Sequence, residues 1–185
     1  MTYDHITYDL TGGIATITLN RPEVMNALSS GLRGELLDAL KRSHHEARVM
    51  VLTGAGRAFC SGQDLQDAGK IGSFDLERIL NEEYVPMIKA ITDSPIPTIA
   101  AVNGAAAGAG ANLALAADIV IASESASFIQ AFTRIGLVPD AGGSYWLPRQ
   151  IGLARSMGAM LLGDKITARQ AADWGMIYEA VPDTE

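Results

Sequence analysis

The sequence predicts one domain of the α/β class. Segments rich in β-branched residues alternate with segments in which apolar residues recur every three or four positions, and glycine or proline separates most of them. The 185 residues suit a single hydrophobic core. No low-complexity tract, long linker or clear fixed-period repeat divides the chain, so we expect residues 1–185 to form a single domain.

The first half should hold a β-hairpin, a helix, a strand and a second helix. Two segments rich in β-branched residues flank Gly12-Gly13, a pair that favours a tight turn. Ser29 or Ser30 can cap the first helix, which carries leucines along one face. The second helix should stop before Pro95. In order, these elements are expected at residues 5–10, 14–20, 30–46, 49–53 and 75–91.

The second half should begin with a strand at residues 97–102, which turns at Asn103-Gly104 into a helix rich in glycine and alanine. Thr167 should cap the last helix. Residues 68–73 show the least pattern and are expected to be mobile. The elements after the first strand are expected up to residue 116 and at 119–122, 142–151, 154–162, 167–175 and 176–181.

Composition argues against several classes of protein. The net charge is −7 and the basic residues are scattered singly, so nothing indicates a nucleic-acid surface. Polar residues interrupt the most apolar stretch, residues 96–117, so we expect no membrane span. Residues 1–10 lack the basic start of a signal peptide. The only cysteine, Cys60, excludes an internal disulfide and fits a core position in a reducing, cytoplasmic location.

Three segments carry patterns that could serve chemistry: residues 56–65, 102–112 and 134–144. The first two are turns of small residues whose backbone amides could donate to an oxyanion. An ordinary turn and close helix packing are the alternatives. A dinucleotide-binding loop is a weak interpretation of the second segment, because the third glycine of that fingerprint would fall at Leu113.

The third segment places Asp140 between a proline and Ala-Gly-Gly. Such an aspartate would ordinarily cap the following helix. The apolar residues before it, Ile135, Leu137 and Val138, suggest instead a carboxylate at the edge of a dry pocket. Partial burial raises the pKa of a carboxyl group, which suits a group that must take and return a proton.

Taken together, the three segments resemble the enoyl-CoA hydratase/isomerase (crotonase) superfamily. The motifs, in order, are A-F-C-S-G-Q-D-L, I-A-A-V-N-G-A-A-A-G-A-G and P-D-A-G-G. The resemblance implies a crotonase-like spiral of ββα units that assembles as a homotrimer or a dimer of trimers if the C-terminal region is present. Members usually continue for several dozen helical residues beyond the position of Glu185, so we expect this chain to lack the family's C-terminal helical segment.

The resemblance also implies an acyl-CoA thioester substrate, with CoA carried on the substrate and no metal or separate cofactor. The backbone amides of Gln63 and Ala109 would stabilise the thioester enolate, and Asp140 would be the proton carrier. The residues that would bind the substrate are Val24, Ala27, Ser61, Gln63, Asp64, Leu65, Gln66, Ala109 and Phe132.

Departures from the hydratase pattern point to an isomerase. Hydratases use two glutamates, and the corresponding positions here hold Asn112 and Phe132. Asn112 could orient substrate or water, or could simply pack at a helix start. Residues 136–149 and 174–177 are most similar to the ring-opening isomerases of phenylacetate breakdown. This implies conversion of 1,2-epoxyphenylacetyl-CoA to oxepin-CoA, a cis-3 to trans-2 enoyl-CoA shift, or both.

Other activities remain as alternatives. These are an enoyl-CoA hydratase, a dienoyl-CoA isomerase and a non-catalytic acyl-CoA-binding subunit. An aryl-CoA dehalogenase is disfavoured, because the tryptophan it would need corresponds to Phe132 and no histidine follows His45.

Overall fold

The computed structural model describes residues 2–66 and 75–184. These residues form ten strands in two sheets, with six α-helices packed around them. The strands are β1 Ile6–Thr11, β2 Ile14–Leu19, β3 Val49–Gly54, β4 Ala58–Cys60, β5 Thr98–Val102, β6 Ala105–Ala107, β7 Ile119–Ser123, β8 Ser127–Ile129, β9 Lys165–Thr167 and β10 Glu179–Val181. The helices are α1 Ser30–Glu46, α2 Leu76–Ile79, α3 Val85–Thr92, α4 Ala109–Leu115, α5 Gly143–Leu162 and α6 Ala168–Asp173.

The larger sheet has the order β1-β2-β3-β5-β7-β10, and the smaller has the order β4-β6-β8-β9. Among these ten strands, the antiparallel pairs are the hairpin β1–β2 and the pair β8–β9. Successive strands alternate between the sheets, so β3 is followed by β4, β5 by β6 and β7 by β8. A helix returns the chain after each of these pairs. This is the spiral of ββα units that the resemblance implied.

Several predicted elements are confirmed with their caps. The hairpin turns at Gly12 and Gly13, both with positive φ. Ser29 caps α1 by accepting a hydrogen bond from the backbone N–H of Leu32, 3.2 Å away. Thr167 caps α6 in the same way. The predicted break between two helices near residue 152 is a kink inside α5 at Gly152, which has φ 75°.

Two predictions about local structure were wrong, and three short strands were not predicted. Residues 105–107, predicted as helix, form β6, because they pair with both β4 and β8 before Gly108 turns the chain. The predicted last strand is shorter, since the N–H of Met176 bonds to the carbonyl of Ala171 and completes the end of α6. The strands β4, β8 and β9 were missed; each has three residues, too few to show a period. Residues 68–73, predicted to be mobile, lie outside the described residues.

The predicted helix at 75–91 contains a π-helical segment, Leu80–Tyr84, between α2 and α3. Its buried residues are Ile79, Tyr84, Met87, Ala90 and Ile91. The first step between them is five residues rather than three or four. One extra residue in the π turn therefore brings Ile79 and Met87 to the same buried side, which a regular α-helix would rotate apart.

Asn26 ties the loop after β2 to the β3–β4 connection. Its side chain is fully buried, and Nδ2 lies 3.0, 2.8 and 3.1 Å from the carbonyl oxygens of Ala55, Ala58 and Phe59. Cys60 follows directly, with Sγ 3.1 Å from the carbonyl oxygen of Asn26. Burial raises the pKa of the Cys60 thiol to about 12, in keeping with its predicted place in the core.

Asn26→Asp should therefore destabilise the fold strongly. The change turns a buried donor into a charged acceptor facing three carbonyl oxygens, and should cost about 3 kcal/mol or more. Chemical denaturation measures the loss. Asn20→Asp makes the same change at an exposed residue and is the control, for which we expect little effect. Equal stability of the two variants would contradict this role of Asn26.

Candidate active site

Two turns meet where β4 and β6 end. These strands are parallel neighbours, so their carboxyl ends lie at the same edge of the small sheet. Gly62 has φ 91°, and a Cβ atom there would lie 2.8 Å from the carbonyl oxygen of Ala107 and 3.4 Å from the amide nitrogen of Ala109. A Cβ on Gly110 would likewise overlap the carbonyl oxygen of Cys60. The two turns therefore touch through their main chains.

The backbone N–H groups of Gln63 and Ala109 stand at this contact. Over residues 2–66 and 75–184, neither N–H has a hydrogen-bond acceptor. The neighbouring groups are paired, since the carbonyl of Gly62 accepts from Leu28 at 2.8 Å and the N–H of Asp64 donates to Leu28 at 3.3 Å. Two unpaired amides beside each other form a place where a developing oxyanion can be stabilised.

Asp140 precedes α5, but its side chain does not cap that helix. The N-cap is Gly142, and no described side chain donates to or accepts from the helix start as a cap. The capping interpretation is therefore wrong: Ala141 and Gly142 both have positive φ and carry the carboxyl group away from the helix start. The Oδ1 atom is buried and has no hydrogen-bond partner among the described groups. Burial raises the pKa of Asp140 to about 6.

Asn112 holds the main chain of Asp140. Its side chain is fully buried, and Nδ2 donates to the Asp140 carbonyl oxygen at 2.8 Å. Its Oδ1 accepts from Nε2 of Gln130, also at 2.8 Å. Gly143 leaves room for this amide, because a Cβ there would overlap the Asn112 side chain. Of the two predicted roles, packing describes Asn112 better, although the group it orients is Asp140 rather than substrate.

An apolar cleft of about 230 Å³ opens beside Ala141 and Gly142, the two residues that follow Asp140. Burial raises the pKa of Tyr84, which lines this cleft, and the charge of Asp140 adds to the rise. No pattern in the sequence indicated that the helical region after residue 75 would form this wall. The lining residues are Leu80, Tyr84, Val85, Ile88, Lys89, Ala141 and Gly142.

The apolar residues predicted near the carboxylate are not among those that line this cleft. Ile135 and Val138 are 60% and 80% exposed, because the 3₁₀ helix at Ala131–Ile135 ends in a left-handed turn at Gly136 that directs the chain outward. Phe132 is buried, but it packs beside Gly108, where a Cβ would lie 3.8 Å from its ring, and does not line the cleft.

The other predicted substrate-binding residues lie along one short stretch. The carbonyl of Val24 accepts from the Ser61 hydroxyl at 3.3 Å, and the buried Ala27 precedes the bridge between Leu28 and Gln63. Asp64 is buried and ion-paired with Arg21 at 2.8 Å, and its Oδ1 accepts from the Gln66 N–H at 3.0 Å. Leu65 is 69% exposed. The stretch borders residues 67–74.

Sequence reasoning missed Arg33, Tyr84 and Gln130. Arg33 interrupts the leucines on the buried face of α1, and that was the available signal. The described part of the chain holds no group of three or more His, Cys, Asp or Glu suited to a metal ion. It also has no helix long and apolar enough to cross a bilayer.

Known proteins resemble this chain in both sequence and fold. Residues 9–185 match the enoyl-CoA hydratase/isomerase family. The chain is 62% identical to a probable enoyl-CoA hydratase of Rhodobacter capsulatus, over all of this chain and 72% of that protein. It is 47% identical to the 1,2-epoxyphenylacetyl-CoA isomerase of Escherichia coli, over 92% of this chain and 67% of that protein. The crystal structure of an enoyl-CoA hydratase from Mycobacterium avium subsp. paratuberculosis superposes with a TM-score of 0.89 at 34% identity, over 100% and 71% of the two chains.

Gly62→Ala tests the main-chain contact. The new Cβ would press on the Ala107 carbonyl beside the Ala109 amide, so we expect kcat to fall by about 10²-fold. Gly12→Ala is the control, because Gly12 also has positive φ (62°) but a Cβ there would meet no described atom within 4 Å. It should lose about 1–2 kcal/mol of stability and keep full activity. Equal kcat values for the two variants would rule out the special role of Gly62.

Asp140→Asn should stabilise the protein at pH 8. The pKa of about 6 lies above the value of about 3.9 for an unfolded aspartate, so the folded state holds the proton more tightly. The contribution is fully present below about pH 4 and is lost as the pH rises through about 6. The variant should gain about 3 kcal/mol at pH 8 and almost nothing near pH 4. Urea unfolding at both pH values measures this, with the exposed Asp173→Asn as control; a gain independent of pH would contradict it.

Proposed function

This chain belongs to the enoyl-CoA hydratase/isomerase family, and within it we propose that the chain is an acyl-CoA isomerase. The backbone amides of Gln63 and Ala109 hold the thioester oxygen, and Asp140 moves the proton. The observation that carries the proposal is the carboxyl group of Asp140, which is buried beside an apolar cleft with Oδ1 unpartnered among the described residues.

The thioester carbonyl accepts from both amides and gains negative charge as the α-proton leaves. Amides fixed in direction stabilise this charge without reorganising, and one such donor is typically worth about 2.7–4 kcal/mol of barrier. The Gln63 and Ala109 amides have no protein acceptor within the described residues, so they are available to the substrate.

Asp140 removes the α-proton of a cis-3-enoyl thioester and returns it at the γ-carbon, leaving the trans-2 double bond. The same carboxyl group must be a base and then an acid. A pKa of about 6 suits both steps near neutral pH, because neither protonation state is strongly disfavoured. Proton transfer of this kind contributes about 10²- to 10⁴-fold to the rate.

The described residues around Asp140 offer no second uncommitted carboxylate, which favours isomerisation over hydration. Asn112 is committed to the main chain of Asp140, and Phe132 cannot exchange a proton. Two acidic side chains in the surrounding segments, Asp64 and Glu83, are ion-paired with arginines. Among the described residues, Asp140 is therefore the one carboxyl group available here to activate water.

For the acyl group, we propose 1,2-epoxyphenylacetyl-CoA, a cis-3-enoyl-CoA, or both. Two observations support this: the apolar cleft beside Asp140, and the 47% identity to a 1,2-epoxyphenylacetyl-CoA isomerase. We also propose self-association, as expected for the family's trimers. It is supported by a row of exposed apolar residues on α5, at Leu153, Met157 and Leu161.

Hydration is the second candidate, and the name of the 62% identical relative favours it. The two reactions differ in absorbance. Isomerising a 3-enoyl-CoA creates a conjugated thioester and increases the ultraviolet absorbance, whereas hydrating a trans-2-enoyl-CoA removes it. Purified protein given each substrate in turn therefore separates them, and a protein that only binds acyl-CoA would change neither.

Asp140→Asn should lower kcat for isomerisation by at least about 10²-fold while leaving the affinity for a saturated acyl-CoA nearly unchanged. In the wild type, kcat/KM should rise with pH through about 6 as Asp140 of the free protein loses its proton. Stopped-flow absorbance and calorimetry measure the two quantities, and Asp173→Asn is the control. A variant that keeps most of its turnover would overturn the assignment of Asp140.

A further inference from the structure

Arg33 lies on the buried face of α1 and is 1% exposed. Its Nη1 donates to the carbonyl oxygen of Leu28 and to Oε1 of Gln63, the latter at 3.1 Å. Its Nε and Nη2 donate to the Glu83 carboxylate at 2.9 and 2.7 Å. One buried guanidinium therefore joins three separate parts of the chain.

Two of these acceptors flank the amide of Gln63. Leu28 forms the bridge to Gln63, pairing with the residues on either side of it, so the position of Leu28 sets the direction of the Gln63 N–H. Arg33 fixes the carbonyl of Leu28 and also the side chain of Gln63. The Arg33 guanidinium therefore holds both the main chain and the side chain of Gln63 in place.

The third acceptor of Arg33 is Glu83, which lies in the helical segment that lines the cleft. Glu83 lies in the π-helical segment beside Tyr84, whose hydroxyl donates to Oε1 of Gln63 at 2.6 Å. The Arg33 guanidinium carbon also lies 5.0 Å from the centre of the Tyr84 ring. Gln63 Oε1 thus receives hydrogen bonds from Arg33 and from a residue that lines the cleft. Short π-helical segments are frequent at functional sites.

We propose that Arg33 is a positioning residue, which fixes the Gln63 amide in the direction that polarises the thioester carbonyl and locks it to the Tyr84 wall of the cleft. This inference rests on the proposed function. Arg33 touches no reacting atom in this scheme. It acts through Gln63, so its loss should lower kcat while the ground-state affinity for acyl-CoA changes little.

The test compares Arg33→Lys, Tyr84→Phe and the double variant Arg33→Met/Glu83→Gln. Lysine keeps the charge beside Glu83 but cannot reach all of the acceptors, and phenylalanine removes only the hydroxyl donor. The double variant avoids leaving Glu83 buried without its partner. Arg42→Lys is the matched control, since Arg42 lies on the same helix in an exposed pair with Glu46.

Three quantities are measured: kcat and KM for 3-enoyl-CoA, the unfolding midpoint, and the infrared carbonyl frequency of bound phenylacetyl-CoA. In the wild type, the thioester carbonyl should shift to lower frequency on binding. In Arg33→Lys and the double variant, kcat should fall about 10- to 100-fold, with KM within about threefold and a smaller carbonyl shift. The kcat and carbonyl shift of Tyr84→Phe should lie between those of the Arg33 variants and the wild type. Both quantities should have the wild-type value in Arg42→Lys.

The outcomes separate the two proposals. A wild type that neither isomerises 3-enoyl-CoA nor shifts the carbonyl frequency refutes the proposed function, and this inference with it. A wild type that does both, with Arg33 variants that keep the full carbonyl shift, refutes this inference alone. That result holds even when the variants are less stable, because a purely structural Arg33 would lower the unfolding midpoint without changing the polarisation of the bound carbonyl.

Discussion

The close main-chain approach of the turns after β4 and β6 is the constraint on which the candidate site depends. Gly62 and Gly110 face the other turn's backbone with no space for a Cβ atom. Both turns are held in place by neighbouring elements. The buried side chain of Asn26 is hydrogen-bonded to the β3–β4 connection, and β6 pairs with β8. Strands β4 and β6 have only three residues each, which is enough to bring the Gln63 and Ala109 amides together.

At Asp140, burial leaves a polar atom without a hydrogen-bond partner among the described groups. Its peptide is held firmly, by Asn112 and by the start of α5, while its carboxyl oxygen Oδ1 has no partner among the described groups. The unsatisfied oxygen lowers stability at neutral pH, and the same desolvation raises the pKa of Asp140 to about 6, a value that suits the proposed proton transfer. The main chain of Asp140 thus fixes its position, and its carboxyl group would supply the proposed reactivity.

Much of the fold could be predicted because its longer elements carry complete local patterns. The hairpin, α1 with its Ser29 cap and the break at Gly152 were visible in turn chemistry and spacing. The three-residue strands were not, since their pairing partners are distant in sequence. The resemblance brought Gln63, Ala109 and Asp140 into one hypothesis, and the structure brings the two amides together. The apolar residues before Asp140 gave no indication that Gly136 would turn Ile135 and Val138 outward.

The π-helical segment has a consequence for how relatives of this chain could diverge. Because the π turn absorbs one extra residue, deleting a single residue there would leave Ile79 and Met87 about two regular helical turns apart and still in phase with the core. Such a deletion would rearrange Leu80 and Tyr84, which line the cleft from this segment, while α3 and both glycine turns stayed in place. Substrate range in this fold can therefore change through the length of a helix, by one codon, as well as through the identity of its residues.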